Sequence, residues 1–241
     1  MGMDRIATGV QGMDDMLFGG VPVGNQVIVA GGPGSGKTLL SFEVLYHNAK
    51  KGIPGVFLAL EERPDELLKN IKEVFTGFDD LDDLIAKKMI LINGEDTSRR
   101  LLSDSGSSSY AFGNVVSDIE AAIREIGAKL VVIDSISLLK LVVSNELTYR
   151  RSMLALTSDL RRLGVTSLLT VETSSSERKG LKFGPEFFIF DGIVIMYQSG
   201  EEYKRSLTAE VVKMRGSDHS WALTPYEITS DGFRMFTIEQ G

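Results

Sequence analysis

The chain has 241 residues, 43% of them hydrophobic, with a formal net charge of −7 and no cysteine. That length suits one large α/β domain or two small ones with a real core, and the acidic balance offers no global field to draw nucleic acid or an anionic membrane. Without cysteine there are no disulfides, thiolate metal centres or cysteine nucleophiles, and two histidines are too few for a multi-histidine metal site.

Met1 to Gly12 has neither a basic nor an apolar leader character, and no run approaches the roughly 18 apolar residues of a membrane span. A cytoplasmic protein with no membrane partner is expected. Residues 4–26 form a lead-in whose glycines mark turns, with a short helix predicted over Met13 to Leu17. Val27 to Ala30 then reads as a buried strand. It runs into Gly31-Gly32-Pro33-Gly34-Ser35-Gly36-Lys37-Thr38, which fits G-x-x-x-x-G-K-T. Leu39, Leu40, Phe42, Val44 and Leu45 follow with helical periodicity, and Lys51-Gly52 stops the helix.

Strand, glycine loop and helix are the context of a phosphate-binding loop. Several backbone N–H groups must meet the anion at once, so side chains have to be kept out of the way. Glycines permit that approach and the positive φ angles of the turn. The new helix points its N-terminus at the charge. ATP is therefore expected on Gly32, Pro33, Gly34, Ser35, Gly36, Lys37, Thr38 and Leu39. Lys37 would meet the β- and γ-phosphates, and the Thr38 hydroxyl suits Mg²⁺.

Gly55 to Leu60 reads as a second strand, with Glu61-Glu62 directly after it and a helix starting at Pro64. Met89 to Ile92 is a third strand. Thr97 to Gly113, rich in serine and glycine, reads as a surface loop. A helical face runs from Val115 to Ile126, closed by Gly127. Leu130 to Ile133 is a strand ending in Asp134. Glu146 to Leu163 is a helix, and Val165 to Val171 a fifth strand. A basic loop follows over Ser174 to Pro185, with Arg178, Lys179 and Lys182. Ile193 to Tyr197, Leu207 to Met214 and Phe233 to Ile238 read as strands, with turns at Gly200 and Asp231-Gly232. Strands alternating with helices, then hairpins, predict an α/β fold: a mostly parallel sheet with an antiparallel C-terminal extension, in one domain spanning 1–241.

Three constellations carry chemistry. Asp134, at the end of an apolar strand downstream of a phosphate loop, fits a magnesium-side carboxylate. Glu61 and Glu62 stand where ligands of parallel sheets bind. As neighbours at a strand end they point to opposite sides, so one can polarise a water while the other orients a neighbour. Lys213 and Arg215, two apart at the end of a late strand, point the same way if the strand extends to them. They are either a pair serving one anion or a solvated strand end, and spacing alone favours the latter.

Taken together, Thr8-Gly9, Gly12-Met13-Asp14, the Gly-Gly-Val-Pro-x-Gly lead-in, the phosphate loop, Glu61-Glu62, Ile133-Asp134-Ser135 and Lys213-Met214-Arg215-Gly216-Ser217-x-His219 resemble the KaiC ATPases of the RecA superfamily, in that order along nearly the whole chain. KaiC proper has two such domains in tandem, and this chain has one. The resemblance implies a RecA-like core, a homo-oligomeric ring of six with ATP and Mg²⁺ between neighbours, and ATP hydrolysis. It implies Glu61 and Glu62 as catalytic carboxylates and brings Lys213 and Arg215 to the neighbour's γ-phosphate. It sets Ser217, His219 and Asp231 near the neighbour's sugar and base. Where the second KaiC domain carries a phosphorylated Ser-Thr pair, this chain reads Phe187-Phe188-Ile189-Phe190-Asp191, so the hydroxyl acceptors of an autokinase are absent. The clock-partner tail is absent too. A ring that switches an unidentified protein partner is the first expectation. A recombinase- or helicase-like DNA motor, or an autokinase or ATP sensor with little turnover, are the alternatives. Nucleic acid is not expected as a partner, given the charge and a basic loop whose sole aromatic is Phe183.

Overall fold

The computed structural model describes residues 4–94, 108–141, 143, 145–200 and 206–237. The phosphate strand is β3 (Gln26–Gly31), preceded by the short β1 (Arg5–Ile6), α1 (Met13–Met16) and β2 (Val21–Pro22). After it come α2 (Lys37–Lys50), β4 (Gly55–Ala59), α3 (Pro64–Val74), α4 (Leu81–Ala86), β5 (Ile90–Asn93), α5 (Ser108–Ile126) and β6 (Leu130–Asp134). Then follow α6 (Ser137–Leu141), α7 (Glu146–Arg162), β7 (Thr166–Glu172), α8 (Glu186–Ile189), β8 (Gly192–Ser199), β9 (Ser206–Met214), β10 (Thr224–Thr229) and β11 (Gly232–Met235).

One nine-stranded sheet has the order β11-β10-β9-β8-β3-β7-β6-β4-β5. From β8 to β5 the neighbours are parallel, and β9, β10 and β11 are antiparallel additions, as the sequence predicts. β3 is buried along its whole length because both faces are covered. Its side chains alternate between two cores. Val27 and Val29 pack with Leu40, Phe42 and Leu45 of α2 and Leu67 and Ile71 of α3. Ile28 and Ala30 pack with Val115 and Ile119 of α5 and Met153 and Leu156 of α7. Period-2 strands and 3.6-period helices thus meet in two apolar layers.

The lead-in is closed by Asp14, whose carboxylate accepts the Thr8 N–H at 2.7 Å, the Thr8 hydroxyl at 2.8 Å and the Gly9 N–H at 3.2 Å. The Thr8-Gly9 and Asp14 motif is therefore a turn lock.

The sequence carried no strand order: β7 stands between β3 and β6, while β4 and β5, which separate β3 from β6 in the chain, lie outside them. α5 begins at Ser108, so the loop expected through Gly113 is helical in its last six positions. Serine favours helix starts, and the apolar face from Val115 onward anchors the helix despite Gly113. The rest of that loop, 97–107, lies outside the described residues, as does Ile238. β10 is a strand that the sequence reading did not include; β9 pairs only with its first two residues, Thr224 and Pro225. Among the described residues no helix is long and apolar enough to cross a membrane.

Candidate functional site

The loop after β3 turns into α2 with Gly34 at φ +74° and Gly36 at φ +89°. Gly36 is the N-cap and brings no capping side chain, so the first N–H groups of α2 face outward, toward any anion at the helix end. A Cβ on Gly36 would stand 2.9 Å from Ile228 and Phe233 of the C-terminal hairpin. The same hairpin holds the loop through the Tyr226 hydroxyl, which donates to the Ser35 carbonyl at 2.7 Å. Ser35 itself donates to the Gly32 carbonyl at 2.8 Å.

Lys37 is buried and its Nζ donates to the Gly32 carbonyl at 3.1 Å. Burial lowers its pKa, while Glu172, Asp134 and Glu61 pull it back up. The Thr38 hydroxyl donates to Asp134 Oδ2 at 2.7 Å, and the Thr170 hydroxyl donates to Oδ1. Asp134 is 5% exposed, and burial raises its pKa against the pull of both threonines and Lys37. A hydroxyl and a carboxylate are hard oxygen donors suited to Mg²⁺, an ion that keeps waters and takes phosphate oxygens. Among the described residues there is no group of three or more His, Asp or Glu that could hold a metal by itself.

Glu61 and Glu62 diverge as their adjacency requires. Glu61 is exposed as a residue, but its carboxylate tucks against Ser135, whose hydroxyl donates to it. Its pKa is raised first by partial burial, with Ser135 opposing and the charges of Asp134 and Glu172 adding. Glu62 accepts from Asn70 Nδ2 at 2.9 Å, and burial raises its pKa too. Glu61, Asp134 and Lys37 thus share one locus at the carboxyl ends of β4, β6 and β3.

Lys213 and Arg215 are elsewhere. Lys213 pairs with Ile193 and Met214 with Gly192, and Gly192 is level with Val27. The end of β9 therefore lies at the amino edge of the parallel strands. The length of β3, about 16 Å, separates it from the phosphate loop. β9 ends at Met214, so Arg215 stands just past the strand, yet both cations turn to one target. Lys213 Nζ donates to the Phe190 carbonyl at 2.5 Å, and Arg215 donates to the carbonyls of Phe188 at 3.2 Å and Ile189 at 3.3 Å. Burial, then the charge of Arg215, lowers the pKa of Lys213.

Ser217 and His219 follow on the same edge. Ser217 Oγ accepts from Arg5 at 2.6 Å, and His219 is buried with Nδ1 2.9 Å from the Ser220 carbonyl. Asp231 stands apart from them, in the β10–β11 turn against Gly77. Thr170, Glu172 and Tyr226 were not singled out from sequence, and Ser135 entered only within the Ile133-Asp134-Ser135 motif. Glu172 carried a signal, an acid closing an apolar strand as Asp134 does; single hydroxyls carry none.

Comparison with known proteins bears on this arrangement. The family model for the KaiC ATPase matches residues 6–240. A UPF0273 protein of Aeropyrum pernix is 35% identical over 240 residues, covering 97% of this chain and 94% of that protein. The circadian clock oscillator protein KaiC of Picosynechococcus is 32% identical over 238 residues, 98% of this chain. The chain spans 45% of that clock protein's length. The crystal structure of a KaiC-like protein from the hyperthermophilic archaeon Pyrococcus horikoshii superposes with a TM-score of 0.82 at 30% identity, covering 98% of this chain and 100% of that one.

Proposed function

Because the chain belongs to the KaiC ATPase family, we propose that it is a single-domain, Mg²⁺-dependent ATPase whose sites are completed between neighbouring copies in a hexameric ring. By this proposal the ring acts on an unidentified protein partner in the cytoplasm. One observation carries it. The phosphate loop, Asp134 and Glu61 occupy the carboxyl edge of the sheet, and Lys213 and Arg215 occupy the amino edge, so one copy cannot bring them to the same phosphate.

The roles follow from the groups present. The backbone of residues 32–39, through every N–H except at Pro33, which has none, holds the phosphates, and Lys37 adds charge at the β/γ position. Thr38 and Asp134 would hold Mg²⁺, which supplies charge neutralisation on the phosphate oxygens. Glu61, kept partly desolvated and aimed by Ser135, takes the proton of the attacking water, and Glu62 supports it from the α3 side. The neighbour's Arg215 and Lys213 meet charge on the transferring phosphoryl group. Ser217 and His219 are assigned to the neighbour's sugar and base, and Asp231 reaches that nucleotide by a separate route.

The test is ATP binding and phosphate release alongside particle mass, with and without ATP and Mg²⁺. Lys37→Ala should weaken ATP about 10–100-fold, as expected for a lost charge-assisted contact. Full affinity in that variant, or turnover from a demonstrated monomer, would rule the proposal out.

A further inference from the structure

The finger cations rest on a seat that the phosphate chemistry does not explain. Asp191, at 7% exposure, stands immediately before β8 and is fastened to the start of the phosphate strand. Its N–H donates to the Gln26 carbonyl at 2.9 Å, and its Oδ2 accepts the Gln26 N–H at 3.0 Å. Arg161, in the last turn of α7, places one Nη 2.9 Å from both Oδ1 and Oδ2. Arg215 approaches Oδ1 only at 3.5 Å, although its own N–H donates to the Asp191 carbonyl at 2.8 Å. The finger's backbone is thus held close to Asp191, while its guanidinium stands off that carboxylate and donates to the Phe188 and Ile189 carbonyls instead. Half of that side chain, 52%, remains exposed.

The charge balance gives this arrangement a consequence. Arg161, Lys213 and Arg215 surround a single carboxylate, so the cluster has spare positive charge. An Asp and an Arg left to themselves form a close bidentate pair. That pair would draw Arg215 onto Asp191 and use the donors a phosphate needs. Arg161 occupies both oxygens instead.

We propose that Arg161 and Asp191 are positioning residues for the finger: Arg161 saturates Asp191, so that Arg215 is oriented from its seat without being captured by it. This rests on the shared-site proposal above. It extends that proposal to two residues which touch no nucleotide and lie on different elements from the finger. Because Asp191 is fastened to Gln26, the seat for the neighbour's phosphate is built on the strand that carries this copy's own phosphate loop.

Turnover, ATP affinity and particle mass are measured for Arg161→Ala, Asp191→Asn, the double variant and Arg215→Ala, each as the assembled full chain. Arg161→Ala should bind ATP as the parent does and lose turnover about 10–100-fold, the scale of a misplaced catalytic group. Adding Asp191→Asn should recover several-fold of that loss, because the capturing charge is gone. Arg161→Lys should retain more turnover than Arg161→Ala. Mixing Arg161→Ala with the Glu61→Gln/Glu62→Gln chain should restore activity, which assigns the defect to the finger side of the interface. A purely structural ion pair also predicts partial recovery in the double variant, because no unpaired charge is left, but it predicts that Tm and turnover fall and recover together and that mixing restores nothing. Where Arg161→Ala unfolds, Arg161→Gln keeps the stem and one donor pair and answers the same question. If Arg215→Ala keeps full turnover, the shared site itself fails. If Arg215→Ala is inactive while Arg161→Ala matches the parent, only the seat proposal fails.

Discussion

The two edges of the sheet solve opposite electrostatic problems. At the carboxyl edge, one lysine faces Asp134, Glu61 and Glu172, and burial pushes the two carboxyls Asp134 and Glu61 up and Lys37 down. At the amino edge, Asp191 faces Arg161, Arg215 and Lys213. One edge has surplus acid that a metal can neutralise, and the other has surplus cation that a phosphate can neutralise. Each is incomplete in the sense the other supplies. A chain that kept both surpluses on one site would cancel them internally. By the shared-site proposal, separating them by the length of β3 would make neutralisation depend on a second copy.

The largest expected effect comes from breaking the cationic edge. Arg215→Ala should retain ATP and lose turnover by about 10³–10⁵-fold, the range for a finger on a transferring phosphoryl group. Mixed with Glu61→Gln/Glu62→Gln, it should regain activity at interfaces that pair an intact finger with intact carboxylates. A small loss, with no recovery on mixing, would return Lys213 and Arg215 to a solvated strand end.

Breaking the acidic edge comes next. Glu61→Gln/Glu62→Gln should slow turnover about 10²–10⁴-fold at unchanged ATP affinity. Because the Glu61 carboxyl is raised, parent turnover should fall as pH drops through that raised value and protonates the base. If the residual activity of the double variant shows the same acid limb, the base lies elsewhere.

The unequal legibility of the two edges has a physical origin. The phosphate loop is local: its glycines, lysine and threonine are contiguous, because one turn must supply every donor. Asp134 is legible because a carboxylate closing four apolar residues breaks the strand pattern. The amino edge is assembled from α7, the β7–β8 connection and β9, far apart in sequence. Spacing showed that Lys213 and Arg215 share a direction but could not show that the target is the carbonyl end of α8. Phe187-Phe188-Ile189-Phe190 reads only as an apolar run, and its helical turn depends on packing beneath β8. The place of β7 between β3 and β6 is likewise a pairing between distant segments, and no periodicity encodes it.

A smaller effect tests the glycine at the helix entrance. Gly36→Ala combines a φ of +89° with a Cβ 2.9 Å from Ile228 and Phe233. The backbone term alone is about 1–3 kcal/mol, or roughly 2–4 °C in Tm per kcal/mol for a chain of this length. The C-terminal hairpin must also shift off the loop, so ATP affinity should fall as well. A variant with parental Tm would mean that the loop relaxes without strain.

The smallest expected effect separates the edges by sign. With nucleotide and metal absent, Asp134 is a buried carboxylate whose pKa is raised by burial. The folded chain then binds its proton more tightly than the unfolded chain, where a carboxyl titrates near about 3.9. Between that value and the raised one the native state holds more protons, so stability falls as pH rises through the window and stays reduced above it. Asp134→Asn should therefore raise Tm at neutral pH, and the gain should vanish below about pH 4. Mg²⁺ with ATP, which stabilises the parent by about 2.7 kcal/mol at a hundredfold excess over Kd, should help this variant far less. Asp191→Asn should move Tm the other way, because Asp191 is matched by Arg161 and accepts the Gln26 N–H, so neutralising it leaves a cation without its partner. Opposite signs at the two carboxylates are what an acid-rich edge and a cation-rich edge require. If both substitutions lower Tm at neutral pH, Asp134 is already compensated within one chain, and the acidic edge does not need a metal to balance it.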